Sequence, residues 1–242
     1  MTFETRVRSK VLQVAQPGAR WLATGWSGGY WRRDAVYNVT VPSGFDRTDL
    51  EPYVNERLAD AGFDREGIPL LTGAEQANAR GARLGPVEVV ATAGLSNPAT
   101  LPLEPRDEPG TEGAGSEKDP PVGTINVVAG TTRSLDDGAL ATLVSTVAEA
   151  KAATLVQSLG FTGTTSDAVV VGCDPDGDPA TFAGSASTVG AAARACVREA
   201  LQATLAAHYS DADPPESVAD APYGVVTDER ARVFEVSDSS HD

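Results

Sequence analysis

Histidine, lysine and cysteine are nearly missing from these 242 residues, and each shortage removes a class of chemistry. The two histidines are His208 and His241, so a Ser-His-Asp triad would have to use His208, and a multi-histidine zinc centre lacks ligands. The two cysteines, Cys173 and Cys196, form no C-x-x-C pair and read as small core residues rather than a disulfide or a metal pair. Lysine occurs only at Lys10, Lys118 and Lys151, and 19 basic residues against 34 acids leave a net charge of −15. So acidic a surface repels phosphate backbones and anionic lipid, which argues against nucleic acid and against a membrane as partners. No run of about 18 apolar residues occurs, and the first residues hold no apolar signal core. H-E-x-x-H, a Walker loop and G-x-G-x-x-G are also missing. Hydrolytic chemistry, if present, must run on hydroxyls, carboxylates, amides, amines or thiols.

What remains is enough to fold. Hydrophobic residues make up 41% of the chain, an ordinary share for a domain that buries a core. Many carboxylates, few lysines and many alanines suggest a salt-filled cytoplasm in which screening weakens the self-repulsion. Short β-branched or aromatic segments at residues 7–14, 21–25, 35–41, 87–92, 124–129 and 168–172 predict strands. Helical spacing predicts helices over residues 50–61, from Asp136-Asp137-Gly138 to Gly160, and over residues 189–207. The sum is an α/β domain with a sheet of mixed direction and helices packed on it. It spans residues 1–207 as one catalytic unit, with an acidic, Pro- and Gly-rich loop at 101–121 that need not be ordered. Residues 208–242 read as an acidic tail in which Val225-Val226 and Val233-Phe234 suggest a hairpin.

Several short motifs could carry chemistry. Gly123-Thr124-Ile125-Asn126 opens a strand; cleavage of the Gly123–Thr124 bond would make Thr124 a nucleophile with its own amine as base. An ordinary β-branched strand start is the plainer alternative. Gly163-Thr164-Thr165-Ser166-Asp167 puts hydroxyls and a carboxylate at a strand entrance, suited to orienting an amide or activating water, or simply to bonding a local turn. Trp21, Trp26 and Trp31 lie within eleven residues around Gly28-Gly29 and could line a pocket for a bulky planar ligand, or fill the core. Asp174-Pro175-Asp176-Gly177-Asp178 fails as a calcium loop, because Pro179 holds the sixth position and Ser185 the closing one, so no metal site is expected. Glu149 and Lys151 stand two apart on a helix and so occupy different faces.

These motifs, in this order, resemble the adenosylcobinamide amidohydrolases of archaeal cobalamin salvage. The family shows much the same G-T-I-N, T-E-A-K and T-G-T-x-T-D-A-V-V-V strings, matched here by residues 123–126, 148–151 and 162–171, with Ser166 departing from the last. Gly28-Gly29, Asn38-Val39-Thr40-Val41-Pro42 and Thr92-Ala93-Gly94-Leu95-Ser96-Asn97 extend the likeness to residues 20–205. The resemblance implies hydrolysis of the aminopropanol amide of adenosylcobinamide to adenosylcobyric acid, with no metal or organic cofactor beyond the cobalt inside the substrate. A fainter likeness to the self-cleaving aminopeptidases and ornithine acetyltransferases covers some fifty residues and implies a layered sandwich. It also implies Thr124 as nucleophile with Thr165 and Asp167 as its neighbours; Asn97 or Asn38 are the candidate oxyanion donors. Trp26, Gly28, Gly29, Asn38, Asn126, Glu149 and Thr164 are the expected substrate-binding residues. A cytoplasmic enzyme, as monomer or homo-oligomer, is the leading expectation. A corrinoid carrier without chemistry and an amidase for other small amides are the alternatives, told apart by whether adenosylcobinamide releases 1-amino-2-propanol.

Overall fold

A computed structural model describes residues 3–104 and 123–236. Most of the expected acidic loop, residues 105–121, lies outside the described residues. In chain order the elements are β1 (Glu4–Arg8), β2 (Val11–Ala15), β3 (Arg20–Ala23), β4 (Gly29–Arg32), β5 (Ala35–Thr40) and α1 (Leu50–Asp60). There follow β6 (Gly67–Thr72), β7 (Arg80–Leu84), β8 (Val87–Ala93), β9 (Pro98–Thr100), β10 (Ile125–Thr131) and α2 (Asp137–Leu159). The last are β11 (Gly163–Thr164), β12 (Ala168–Cys173), α3 (Thr188–His208) and β13 (Val225–Val226).

Alternation along the strands sorts their side chains into three apolar layers. In β12, Ala168 and Val170 face one way, while Val169, Val171 and Cys173 face the other. The second set packs under α2 and α3; the first packs against Leu12 and Val14 of β2 and Val36 of β5. Val11, Ala15, Ala35, Tyr37 and Val39 point from that second sheet to Tyr53, Val54 and Ala61 at α1. The outcome is four layers: α1, a four-stranded sheet β1-β2-β5-β6, a six-stranded sheet β4-β3-β12-β10-β8-β7, and the α2–α3 pair.

The mixed-direction sheet is as expected, and the local signals explain its parts. Asp136 caps α2 by accepting from the Ala139 N–H at 2.7 Å, and Gly160 ends it in a left-handed conformation. Ser187 caps α3 through the Gly190 N–H. The predicted strand over 7–14 is instead a hairpin, because Ser9 and Lys10 take left-handed φ values of 46° and 63° and turn the chain. β4, β6 and β7 escape prediction because they are edge strands; β7 is largely exposed and β6 carries Pro69. The expected hairpin between Val225-Val226 and Val233-Phe234 does not form: β13 pairs in parallel with β9, and Val233 and Phe234 are exposed. Among the described residues α2 is the one helix long and apolar enough to cross a membrane, yet it lies on β12 and against α3.

β10 and β12 are parallel neighbours joined across α2, a βαβ crossover. Asn126 is level with Ala168, so Thr124 comes level with Ser166, and the two motif loops meet at one sheet end. The charge of −15 bears on stability. Most of the ion pairs have at least one well-exposed partner and contribute little, so net repulsion outweighs them. Raising salt from 0.1 M to 1 M shortens the Debye length from ~10 Å to ~3 Å. Thermal unfolding midpoints should climb over that range; flat or falling midpoints would refute the salt-adapted reading of the composition.

Candidate active site

Thr124 stands just before β10 and is only 5% exposed. Its hydroxyl lies 3.0 Å from the Ser166 hydroxyl, which donates to the Gly123 carbonyl oxygen at 3.0 Å. Gly123 fits because it has no side chain: a Cβ there would collide with Asn97 Oδ1 and fall 2.6 Å from both the nitrogen and the hydroxyl of Ser96. Among the described residues, neither Asn97 Oδ1 nor the Ser96 hydroxyl has a hydrogen-bond partner.

Asp167 is held by four donors. One carboxylate oxygen accepts from the Ile125 N–H at 2.9 Å and from the Thr164 hydroxyl. The other accepts from the Thr164 N–H at 3.1 Å and from the Lys151 ammonium. These four donors fill the acceptor positions of the carboxylate. It ties β10, β11 and α2 together. Gly163 leaves the room: a Cβ there would sit 2.5 Å from both Lys151 Nζ and Asp167 Oδ2.

Lys151 is therefore the charged residue of α2 that faces the site. Sequence reasoning favoured Glu149, and the structure does not bring it here. Glu149 pairs with Arg194 of α3 at 2.6 Å on the exposed side, as two residues of offset on a helix require. The signal for Lys151 was its place one helical turn from apolar Val147 and Leu155, flanked by Ala150 and Thr154, all buried.

Asn97 and Thr165 do meet. The Asn97 amide nitrogen donates to the Thr165 hydroxyl at 2.6 Å, and the Thr165 N–H returns a bond to the Asn97 carbonyl at 3.2 Å. With its NH2 group engaged there, Asn97 anchors the 164–167 turn rather than reaching the Gly123 oxygen. Asn126 and Asn38 lie one layer deeper, between the two sheets. Asn126 Nδ2 donates to Asn38 Oδ1 at 2.9 Å and to the Leu71 carbonyl at 3.0 Å, and Asn38 Nδ2 donates to Thr92 at 2.8 Å. Both asparagines are buried, so they pin the sheets beneath the site instead of opening to a ligand.

Trp26 belongs to a separate cleft of about 580 Å³ with Trp31, Phe63 and the α1 residues Val54 and Leu58, while Trp21 is core, stacked on Phe3. The turn that carries Trp26 needs its glycines: a Cβ at Gly28 would come 2.7 Å from the Ala23 carbonyl, and Gly29 has φ 119°. None of Trp26, Gly28 and Gly29 shares a hydrogen bond with the Thr124 cluster.

The tail supplies what sequence reasoning did not foresee. A cavity of about 630 Å³ opens at Gly123, with Gly94, Leu95 and Ser96 on one wall and His208, Tyr209, Asp213, Glu216 and Asp220 on the other. β13 on β9, the Tyr223 N–H on the Ser96 carbonyl at 3.0 Å and the Tyr209 hydroxyl at 3.2 Å from the Leu95 N–H dock this segment. Among the described residues no three His, Cys, Asp or Glu side chains cluster as for a metal ion.

His208 faces Asn78 at 3.4 Å, and burial lowers its pKa below the ordinary 6.5. The unfolded chain thus takes up a proton first as pH falls, so this residue drains stability from about pH 6.5 downward until the folded form is protonated too. The loss between pH 7 and 5 should shrink in His208→Gln, measured by chemical denaturation; an unchanged difference would mean the ring titrates normally.

A family model for adenosylcobinamide amidohydrolase matches residues 2–213. The chain belongs to the adenosylcobinamide amidohydrolase family. It is 55% identical over 234 residues to an adenosylcobinamide amidohydrolase of Halobacterium salinarum, covering 96% of this chain and 99% of that one. A second relative of the same name, from Methanosarcina mazei, is 27% identical over 62% of this chain and 67% of its own. The enzyme also overlaps two solved structures at 12% identity. One is a Pyrococcus horikoshii protein (TM-score 0.45, covering 84% of this chain and 78% of that one). The other is the L-aminopeptidase D-Ala-esterase/amidase of Ochrobactrum anthropi (TM-score 0.41, 92% and 86%). No assignment rests on overlaps of that extent.

Proposed function

We propose that the enzyme hydrolyses the aminopropanol amide of adenosylcobinamide to adenosylcobyric acid and 1-amino-2-propanol, with Thr124 as nucleophile after the Gly123–Thr124 bond is cut. The observation that carries this reading is the Thr124 hydroxyl, buried under Gly123 at the mouth of the cavity, with Asp167 saturated beside it. Among the described residues of the intact chain no free base adjoins that hydroxyl; a new α-amine on Thr124 would be one.

In the cut enzyme the Thr124 oxygen adds to the substrate amide carbon while its proton passes to the α-amine. The C–N bond then breaks, the departing aminopropanol nitrogen takes that proton, and an ester remains on Thr124. Water activated by the same amine hydrolyses the ester and restores the hydroxyl. Lys151 and Asp167 act here as positioning residues, fixing where β10 begins. The reaction draws on side chains, a chain terminus and water, and cobalt enters only within the substrate. The acid-rich composition and two free buried thiols, whose pKa values burial raises, support a reducing, salty cytoplasm as its setting. The test is incubation with adenosylcobinamide: 1-amino-2-propanol should appear in step with adenosylcobyric acid, and return of intact substrate would mean a carrier.

A further inference from the structure

We propose that Ser166 is a catalytic residue, its hydroxyl being the donor to the carbonyl oxygen that Thr124 attacks. The inference rests on the reading of Thr124 as nucleophile and adds a residue to it. A serine hydroxyl has one proton to give and two lone pairs with which to accept. Here the proton goes to the Gly123 oxygen at 3.0 Å, so the Thr124 hydroxyl, 3.0 Å away on the other side, is the donor to Ser166. The result is a chain of two hydroxyls ending on the carbonyl adjacent to the nucleophile.

That chain solves the proton problem of the first step. As Thr124 Oγ1 bonds to the Gly123 carbon, its proton moves to Ser166 while the Ser166 proton moves to the carbonyl oxygen. The tetrahedral adduct forms without a buried charge. Its collapse breaks the Gly123–Thr124 C–N bond and leaves an ester on Thr124, the proton of the adduct's hydroxyl passing through the Ser166 hydroxyl to the departing nitrogen. Water then splits the resulting ester into a Gly123 carboxylate and a free Thr124 hydroxyl.

The same donor suits the second reaction. When the residue at Gly123 has left, the Ser166 hydroxyl, the unpartnered Ser96 hydroxyl and the cavity mouth are open to a substrate acyl group. A substrate carbonyl placed where the Gly123 carbonyl lies receives the Ser166 proton along the same line. Ser166 is exposed, so a ligand can reach it, and the Asn97–Thr165 bonds hold its turn in place. A donor aimed at a developing oxyanion contributes more in the transition state than in the ground state, so its loss lowers kcat rather than raising KM.

The experiment compares Ser166→Ala, Ser166→Thr and Thr124→Ala in the full chain, reading fragment masses and the rate of aminopropanol release. Ser166→Ala should slow chain cutting and lower kcat, each by roughly 10²–10³-fold, with KM little changed and an unaltered melting temperature. Ser166→Thr, which restores the hydroxyl, should recover most of both. If Ser166→Ala keeps wild-type kcat while Thr124→Ala is inactive, Ser166 is no donor and the Thr124 reading survives alone. If Thr124→Ala itself turns over at the wild-type rate, the nucleophile is wrong and the role of Ser166 falls with it.

Discussion

Thr124→Ala is expected to abolish release of 1-amino-2-propanol, by roughly 10³-fold or more, because the bond-forming atom is gone. Thr124→Ser should keep measurable turnover, since the oxygen and the α-amine it needs both remain. The contrast matters more than either value, for it separates loss of a nucleophile from loss of packing. Thr124 is buried just ahead of β10, and alanine there removes only a hydroxyl and one methyl, so the folded state should survive. A Thr124→Ala enzyme with ordinary kcat would mean that water attacks directly. The carboxylate then to suspect is Asp167, despite its four donors.

Lys151→Met is expected to have the second largest effect, and on stability first. Lys151 and Asp167 have side chains only 11% exposed. Removing one partner leaves a buried charge with its N–H and hydroxyl donors but without its counter-ion, a loss of about 3–5 kcal/mol. In a chain of this size that is about 6–20 °C in melting temperature, taking about 2–4 °C per kcal/mol. The double variant Lys151→Met with Asp167→Asn removes both charges and should recover part of the loss. Activity in Lys151→Met should also fall, because the Ile125 N–H and hence Thr124 depend on where Asp167 sits. A melting temperature within a degree or two of wild type would show that the pair does not hold the site together.

The legibility of this protein in its sequence follows how local each cause is. Helix limits were readable because Asp136, Gly160 and Ser187 act within a turn of where they stand. The Gly123-Thr124 and Gly163–Asp167 loops were paired through the family likeness, since strand order is not legible in the sequence; the structure supplies the physical reason, a βαβ crossover that makes β10 and β12 parallel neighbours. Helical spacing marks Lys151 as buried, but its partner Asp167 lies 16 residues on, beyond the end of α2, so nothing local announces the pair. Asp167 looked like a base in the sequence because its donors arrive from Ile125, Thr164 and Lys151, three separate elements. The tail was misread for the same reason: Val225-Val226 pairs with residues 99–100, far back in the chain, rather than with its neighbours. Polar residues at sheet interiors, such as Asn38 and Asn126, carried functional appeal that their burial between two sheets removes.

The intact mass of the active enzyme tests the central claim most directly. The uncut chain has a mass of 25.0 kDa. Preparations that release aminopropanol should instead contain two fragments, the second beginning at Thr124, in proportion to their activity. A single chain of full mass with undiminished turnover would contradict the account.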